Sequence, residues 1–111
     1  MEAIRNIIKD MVMTSLPTKN DFIPLLHETF EVKIQSVGSF YIELLKIDDR
    51  SNEFWEGFSL LFSGPLNHVF AQGNHKIKHD QIGEFDLFIV PVEYLKKDSM
   101  YYQAVFSSLK K

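Results

Sequence analysis

Two hydrophobic periods divide the chain. Near the start, Ile4, Ile7, Ile8, Met11 and Val12 recur at helical spacing while Arg5, Asn6, Lys9 and Asp10 fall on the opposite side. This predicts an amphipathic helix of about three turns. The segment SLPTKND then breaks the pattern with Pro17, and Asn20 and Asp21 offer helix caps ahead of FIPLLHE, which reads as a short helical turn.

From Thr29 the period becomes two. In TFEVKIQS, Phe30, Val32 and Ile34 share one face and Glu31, Lys33 and Gln35 the other. Val37 and Gly38 turn the chain into SFYIELLKI, where Phe40, Ile42 and Leu44 alternate with Tyr41, Glu43 and Leu45. The polar run IDDRSNE supplies a turn before FWEGFSLLFSGP, whose Phe54, Glu56, Phe58, Leu60 and Phe62 fall on one face up to Gly64 and Pro65. QGNHKIKH, EFDLFIVPV and YYQAVFS complete about six strands, separated by the turns DQIG and LKKDS. None of the connections is long enough for a helical crossover, so the strands pair antiparallel.

The strand FDLFIVPVEY is apolar on both sides, with Phe85, Leu87 and Ile89 facing one way and Phe88, Val90 and Val92 the other. A curled sheet or small barrel buries the first triplet, and the N-terminal helix is expected across the second. Pro91 removes a ladder donor, which places it at an edge or where the strand leaves the sheet. The expected architecture is mainly β (α+β): an antiparallel curled sheet or small barrel of about six strands with an N-terminal amphipathic helix packed on it. Residues 1–111 form one domain, with 1–19 as helix and linker, a detachable arm, and 20–111 as the β domain.

Composition narrows the chemistry. The 111 residues include ten Phe and no Cys, so the core is substantial while disulfides, thiolate metal sites and cysteine nucleophiles are excluded. Twelve Lys and Arg against fifteen Asp and Glu give a net charge of −3, which provides no general field for a phosphate backbone. Nucleic acid and membrane are not expected as partners, and charges interrupt every apolar run near the N-terminus, so the expected location is cytoplasmic.

The remaining polar residues form no catalytic set. His75 and His79 on a strand stand roughly 13 Å apart, too far to share an ion. Ser59 lies in GFSLL, which lacks the closing glycine of a nucleophile elbow. Glu84 and Asp86 share a strand face, and the DQIG turn brings His79 toward them as a candidate acid–base group. The bland reading, a polar edge beside a tight turn, outweighs it.

The blocks FSLLFSGP (Phe58 to Pro65), QG (Gln72 and Gly73), HDQIGEFDLFIVPV (His79 to Val92) and YQAVF (Tyr102 to Phe106) resemble, in order and spacing, a bacterial family of small domains catalogued only as a domain of unknown function. The resemblance covers Phe22 to Phe106. Members more often carry a proline after the histidine, where this chain has Asp80, and the family implies no activity to transfer. Among the matched positions Gln72, His79 and Tyr102 are polar, and they are read as hydrogen-bonding loop backbone ahead of orienting a ligand.

The expected function is a non-catalytic protein-interaction or assembly module, with no cofactor and no metal, joined to another protein or to itself. The Phe54-Trp55 and Tyr101-Tyr102 pairs beside polar turns supply the aromatic contacts that interfaces favour. The alternative is a small-molecule carrier with an aromatic-lined pocket. The candidate interaction or ligand positions are Trp55, Gln72, His79, Tyr101 and Tyr102.

Overall fold

The computed structural model describes residues 17–34, 38–67, 69, 71–93 and 98–109. The expected helix over residues 2–14 lies outside them. Six strands, β1 (Thr29–Ile34), β2 (Gly38–Asp49), β3 (Trp55–Gly64), β4 (Gly73–His79), β5 (Gly83–Val92) and β6 (Met100–Leu109), follow a short helix α1 (Lys19–Phe22) and a single 3-10 turn at Ile23–Leu25. All strand pairings are antiparallel, and the order β1-β2-β3-β6-β5-β4 closes into a barrel.

The period-two pattern explains what fills the barrel. Phe30 and Val32 from β1, Ile42 and Leu44 from β2, Phe58, Leu60 and Phe62 from β3, Ile77 from β4, Phe85, Leu87 and Ile89 from β5 and Tyr102 and Ala104 from β6 are all buried. A barrel of six strands has an interior narrow enough for side chains to occupy it. In β2 the alternation shifts once. Leu44 pairs with Phe62 but Ile47 pairs with Leu60, so a bulge between Leu44 and Lys46 adds one residue and turns Ile47 toward the core.

One end of the barrel is filled from outside the sheet. The N-cap of α1 is Thr18, one turn ahead of Asp21, whose carboxylate accepts the Thr18 backbone N–H at 2.8 Å and its hydroxyl at 3.1 Å. The expected caps Asn20 and Asp21 are therefore inside the helix, displaced by Thr18 because Asp21 serves better as the reciprocal partner of a cap. This short helix points Phe22 into the barrel end, where it is fully buried. The Phe22 ring centroid lies 6.2 Å from Phe30, 6.0 Å from Phe58, 5.9 Å from Phe85 and 5.8 Å from Phe106. Leu25, one turn on, is fully buried as well.

The two sides of β5 have different fates. Phe85, Leu87 and Ile89 face inward, whereas Phe88 on the outside is 49% exposed and Val90 and Val92 are half-buried. Full cover of the outer triplet, expected from the sequence, is thus not what the barrel provides. The ladder of β5 also changes partner along its length: residues 83–89 pair with β4, and 90–92 pair with β6. Pro91 lies past the last β4 pair, where its missing N–H interrupts no second ladder.

Replacing Phe22 by alanine is expected to cost about 3–5 kcal/mol, read as a lower urea midpoint. A shift below about 1 kcal/mol would show that the barrel end does not depend on this ring.

Candidate functional site

Two polar residues are buried among the described ones, Ser59 within β3 and His79 at the end of β4, and His79 is the one with a titratable ring. Its Nδ1 accepts the backbone N–H of Gln81 at 3.0 Å, which fixes the tautomer with the proton on Nε2. Nε2–H then donates to Glu28 Oε1 at 2.7 Å, and the ring rests 4.8 Å from that of Phe30. The acid partner is thus Glu28, ahead of β1, rather than the Glu84 or Asp86 that the DQIG turn had suggested. Both outward carboxylates sit on the solvent side of β5, while His79 points in.

Local backbone geometry brings Glu28 to this point. His27 adopts φ 71°, a left-handed conformation uncommon for a residue with a side chain. Its N–H donates to Leu44 O at 2.7 Å, and Leu44 N–H returns to Glu28 O at 3.0 Å. The bulge of β2 and the reversal at His27 therefore interlock and hold Glu28 beside β4. With both ring nitrogens engaged, the histidine clamps the β4–β5 turn to the start of β1. No nucleophile stands among these contacts.

Glu84 is used differently. Its carboxylate accepts from Lys33 Nζ at 2.7 Å and lies 3.7 Å from Lys76 Nζ, tying β1 to β5 across β4. The hydrogen bond from Lys33 holds the Glu84 carboxyl below its ordinary value of 4.5, with the Lys33 and Lys76 charges adding to it. A carboxylate depressed in this way favours the fold above its unfolded value, and that contribution is lost as pH falls through the lower folded value.

The other candidate positions do not converge. Trp55 opens β3 and is 43% exposed, and Gln72 is exposed just ahead of β4. Tyr101 is buried with its hydroxyl donating to Asp98 Oδ1 at 2.7 Å, and Tyr102 is fully buried in the core beside Phe62 and Pro91. Tyr101 pairs with Ser63, eight positions along β3 from Trp55, a separation of roughly 26 Å. His75 Nε2 approaches Ala71 O at 2.7 Å. Among the described residues no three His, Asp or Glu side chains gather as a metal site requires, and no helix is long and apolar enough to cross a membrane.

The feature that sequence reasoning underrated is the β2–β3 turn. Asn52 Oδ1 accepts the N–H groups of Phe54 at 2.9 Å and Trp55 at 2.8 Å, while Asn52 N–H donates to Trp55 O at 2.8 Å. Ser51 Oγ accepts the N–H of Gly57 at 3.1 Å, Arg50 N–H donates to Gly57 O at 2.8 Å, and Asp49 Oδ1 accepts Ser51 N–H at 2.8 Å. Gly57 itself has no room for a side chain, since a Cβ there would stand 2.6 Å from Phe106 O. This fixed frame presents Phe54, 64% exposed, next to Trp55. The sequence placed Phe54 on the inward face with Phe58. The turn ends one residue later, and β3 begins only at Trp55.

Beside the turn runs an outer cleft of about 890 Å³, with Lys19, Asp49, Glu56, Phe58 and Phe106 in its lining. Phe58 and Phe106 stack at 4.4 Å with an interplanar angle of 9°.

A closed six-stranded antiparallel barrel, plugged at one end by a short helix, defines a small β-barrel domain. The chain belongs to the family described as domain of unknown function DUF6916, which matches residues 17–106. No curated protein and no solved structure matches it.

Two outcomes test this account. Removing the Glu28 carboxylate (Glu28→Ala) is expected to cost about 1 kcal/mol, and the same change made in a His79→Ala background should cost nearly nothing. Equal losses in both backgrounds would mean that the two side chains are uncoupled. In Lys33→Ala, the Glu84 carboxyl should titrate closer to its ordinary value in a carbon-detected NMR titration; an unmoved midpoint would remove Lys33 as the cause.

Proposed function

We propose that this domain is a non-catalytic docking module that joins another protein through the β2–β3 turn. The observation that carries the reading is the exposed Phe54-Trp55 pair held on a turn whose backbone is pinned by hydrogen bonds to the Asn52 and Ser51 side chains and between Arg50 and Gly57. Aromatic side chains of this size are enriched among the residues that dominate binding energy, and a preformed loop loses little freedom on docking. Neither ring belongs to the core cluster of the barrel, and the exposed part of each forgoes the gain of burial. Cytoplasmic residence belongs to the same proposal.

A second reading, small-molecule binding, draws support from the outer cleft, whose volume falls in the range of ligand pockets and whose lining includes the stacked Phe58 and Phe106. The barrel interior offers it less, because core side chains occupy the space between the strands.

The double variant Phe54→Ser/Trp55→Ser is expected to keep the thermal midpoint within a few degrees while losing the protein-sized mass gain seen by native mass spectrometry of the parent purified from its own cells. A gain of small-molecule size that survives the change would favour the cleft instead. A parent that carries no added mass would count against both.

A further inference from the structure

The outer surface of the barrel has two unlike walls. Across β1 and β4 the outward positions are charged, with Glu31 opposite Lys78 and Lys33 opposite Lys76. Across β3, β6 and β5 the outward rows are Leu61–Gln103–Val90 and Ser63–Tyr101–Val92, continued by Ser59–Val105, and not one of these residues carries a charge. Exposure is uneven along this wall. Tyr101 and Ser59 are buried, whereas Val105 is 59% exposed and Phe88, two positions before Val90 on β5, is 49% exposed. The described chain begins beside Val105, since Pro17 and Thr18 line the outer cleft together with Val105, Phe106 and Ser107.

We infer that this uncharged wall is the seat of the chain's own N-terminal segment, residues 2–14, laid across β3, β6 and β5 with Ile4, Ile7, Ile8, Met11 and Val12 against it. The sequence placed that segment over the outer side of β5 alone, and the strand register extends the face to β6 and β3. A sheet face without charge and with exposed apolar side chains is a face that gains by being covered. At helical rise the segment is about 20 Å long, enough to cross three strands spaced about 4.8 Å apart. Arg5, Lys9 and Asp10 fall on its other side and stay in water, so no charge is buried against a wall that has none to pair with. A helix of this length is marginal in water by itself and takes its stability from the face it packs on. The tether favours this occupant over a separate molecule: Ser15 and Leu16 alone link the segment to Pro17, and a short link holds it at about millimolar effective concentration. The inference is independent of the docking role proposed for the β2–β3 turn.

Because the chain has no Cys, a nitroxide can be attached to one introduced cysteine of the full-length protein. Asn6→Cys lies on the polar side of the segment, so the label leaves the apolar stripe free. Its amide NMR peaks are compared with those of Asn6→Cys/Ile7→Asp/Ile8→Asp, each variant first shown by thermal melting to be folded. In Asn6→Cys the label is expected to attenuate the amides of Val105, Gln103 and Phe88 well beyond those of Lys33, Lys76 and Lys78 on the opposite wall, and the two aspartates should abolish that contrast. Even attenuation of both walls, attenuation of neither, or a contrast that survives the aspartates would overturn the inference. A mixture of spin-labelled chain with isotope-enriched, unlabelled chain separates the remaining occupant. Attenuation of the same wall in the unlabelled copies would assign it to a second copy and overturn the tethered segment, whereas unaffected copies are the result expected of a contact within one chain.

Discussion

The structure depends on one ring. Phe22 touches aromatic side chains from β1, β3, β5 and β6, so a single residue outside the sheet contacts four of its six strands. Close packing of protein interiors makes such a position expensive to vacate, because the surrounding rings belong to different strands and cannot all move inward together. The same short element sets the chain's entry into the sheet. Once Phe22 and Leu25 are seated, the reversal at His27 follows, and with it the backbone bonds to Leu44 and the placement of Glu28 beside His79. The polar clamp at that end of the barrel is thus downstream of a hydrophobic decision.

This ordering separates what stabilises the domain from what it shows to others. His79, the residue most suggestive of chemistry, has both nitrogens committed to neighbours of its own chain. Glu84 holds two lysines on the barrel wall. The turn after β2 is the reverse case, for its polar atoms fix the backbone while its two largest side chains, Phe54 and Trp55, stay exposed outside the core. Rigid frame with exposed aromatics is an arrangement that folding alone does not require, since each exposed ring forgoes the gain of burial.

Much of this was legible from residue types. Alternation in β1, β3 and β5 identified the inward residues, and the short polar turns required antiparallel pairing. Three features were not. The bulge in β2 changes which residues face in after Leu44, yet Leu44-Leu45-Lys46-Ile47 reads as acceptable alternation in either phase. Phe22 lies in a seven-residue window too short for its helical period to declare a face. Glu28 and His79 are 51 positions apart, and nothing local to either predicts that barrel closure between β1 and β4 brings them together. Trp55 was legible as an interface candidate by type alone, whereas the frame that presents it depends on side-chain-to-backbone bonds from Asn52 and Ser51.

The partner change along β5 has a consequence for how the barrel opens. Among the described residues, β4 and β5 are joined to each other by seven ladder pairs, but to the rest of the barrel by three at the β1 seam and three at the β6 seam. The sheet β1-β2-β3-β6 is continuous through much longer ladders. The molecule is in this sense a four-stranded sheet closed by a hairpin, and the hairpin forms its own cooperative unit, able to exchange amide hydrogens through partial openings that leave the longer ladders protected. The His79–Glu28 contact and the Lys33–Glu84 pair both cross from that hairpin to β1 or the residue before it, and so act as latches on one seam.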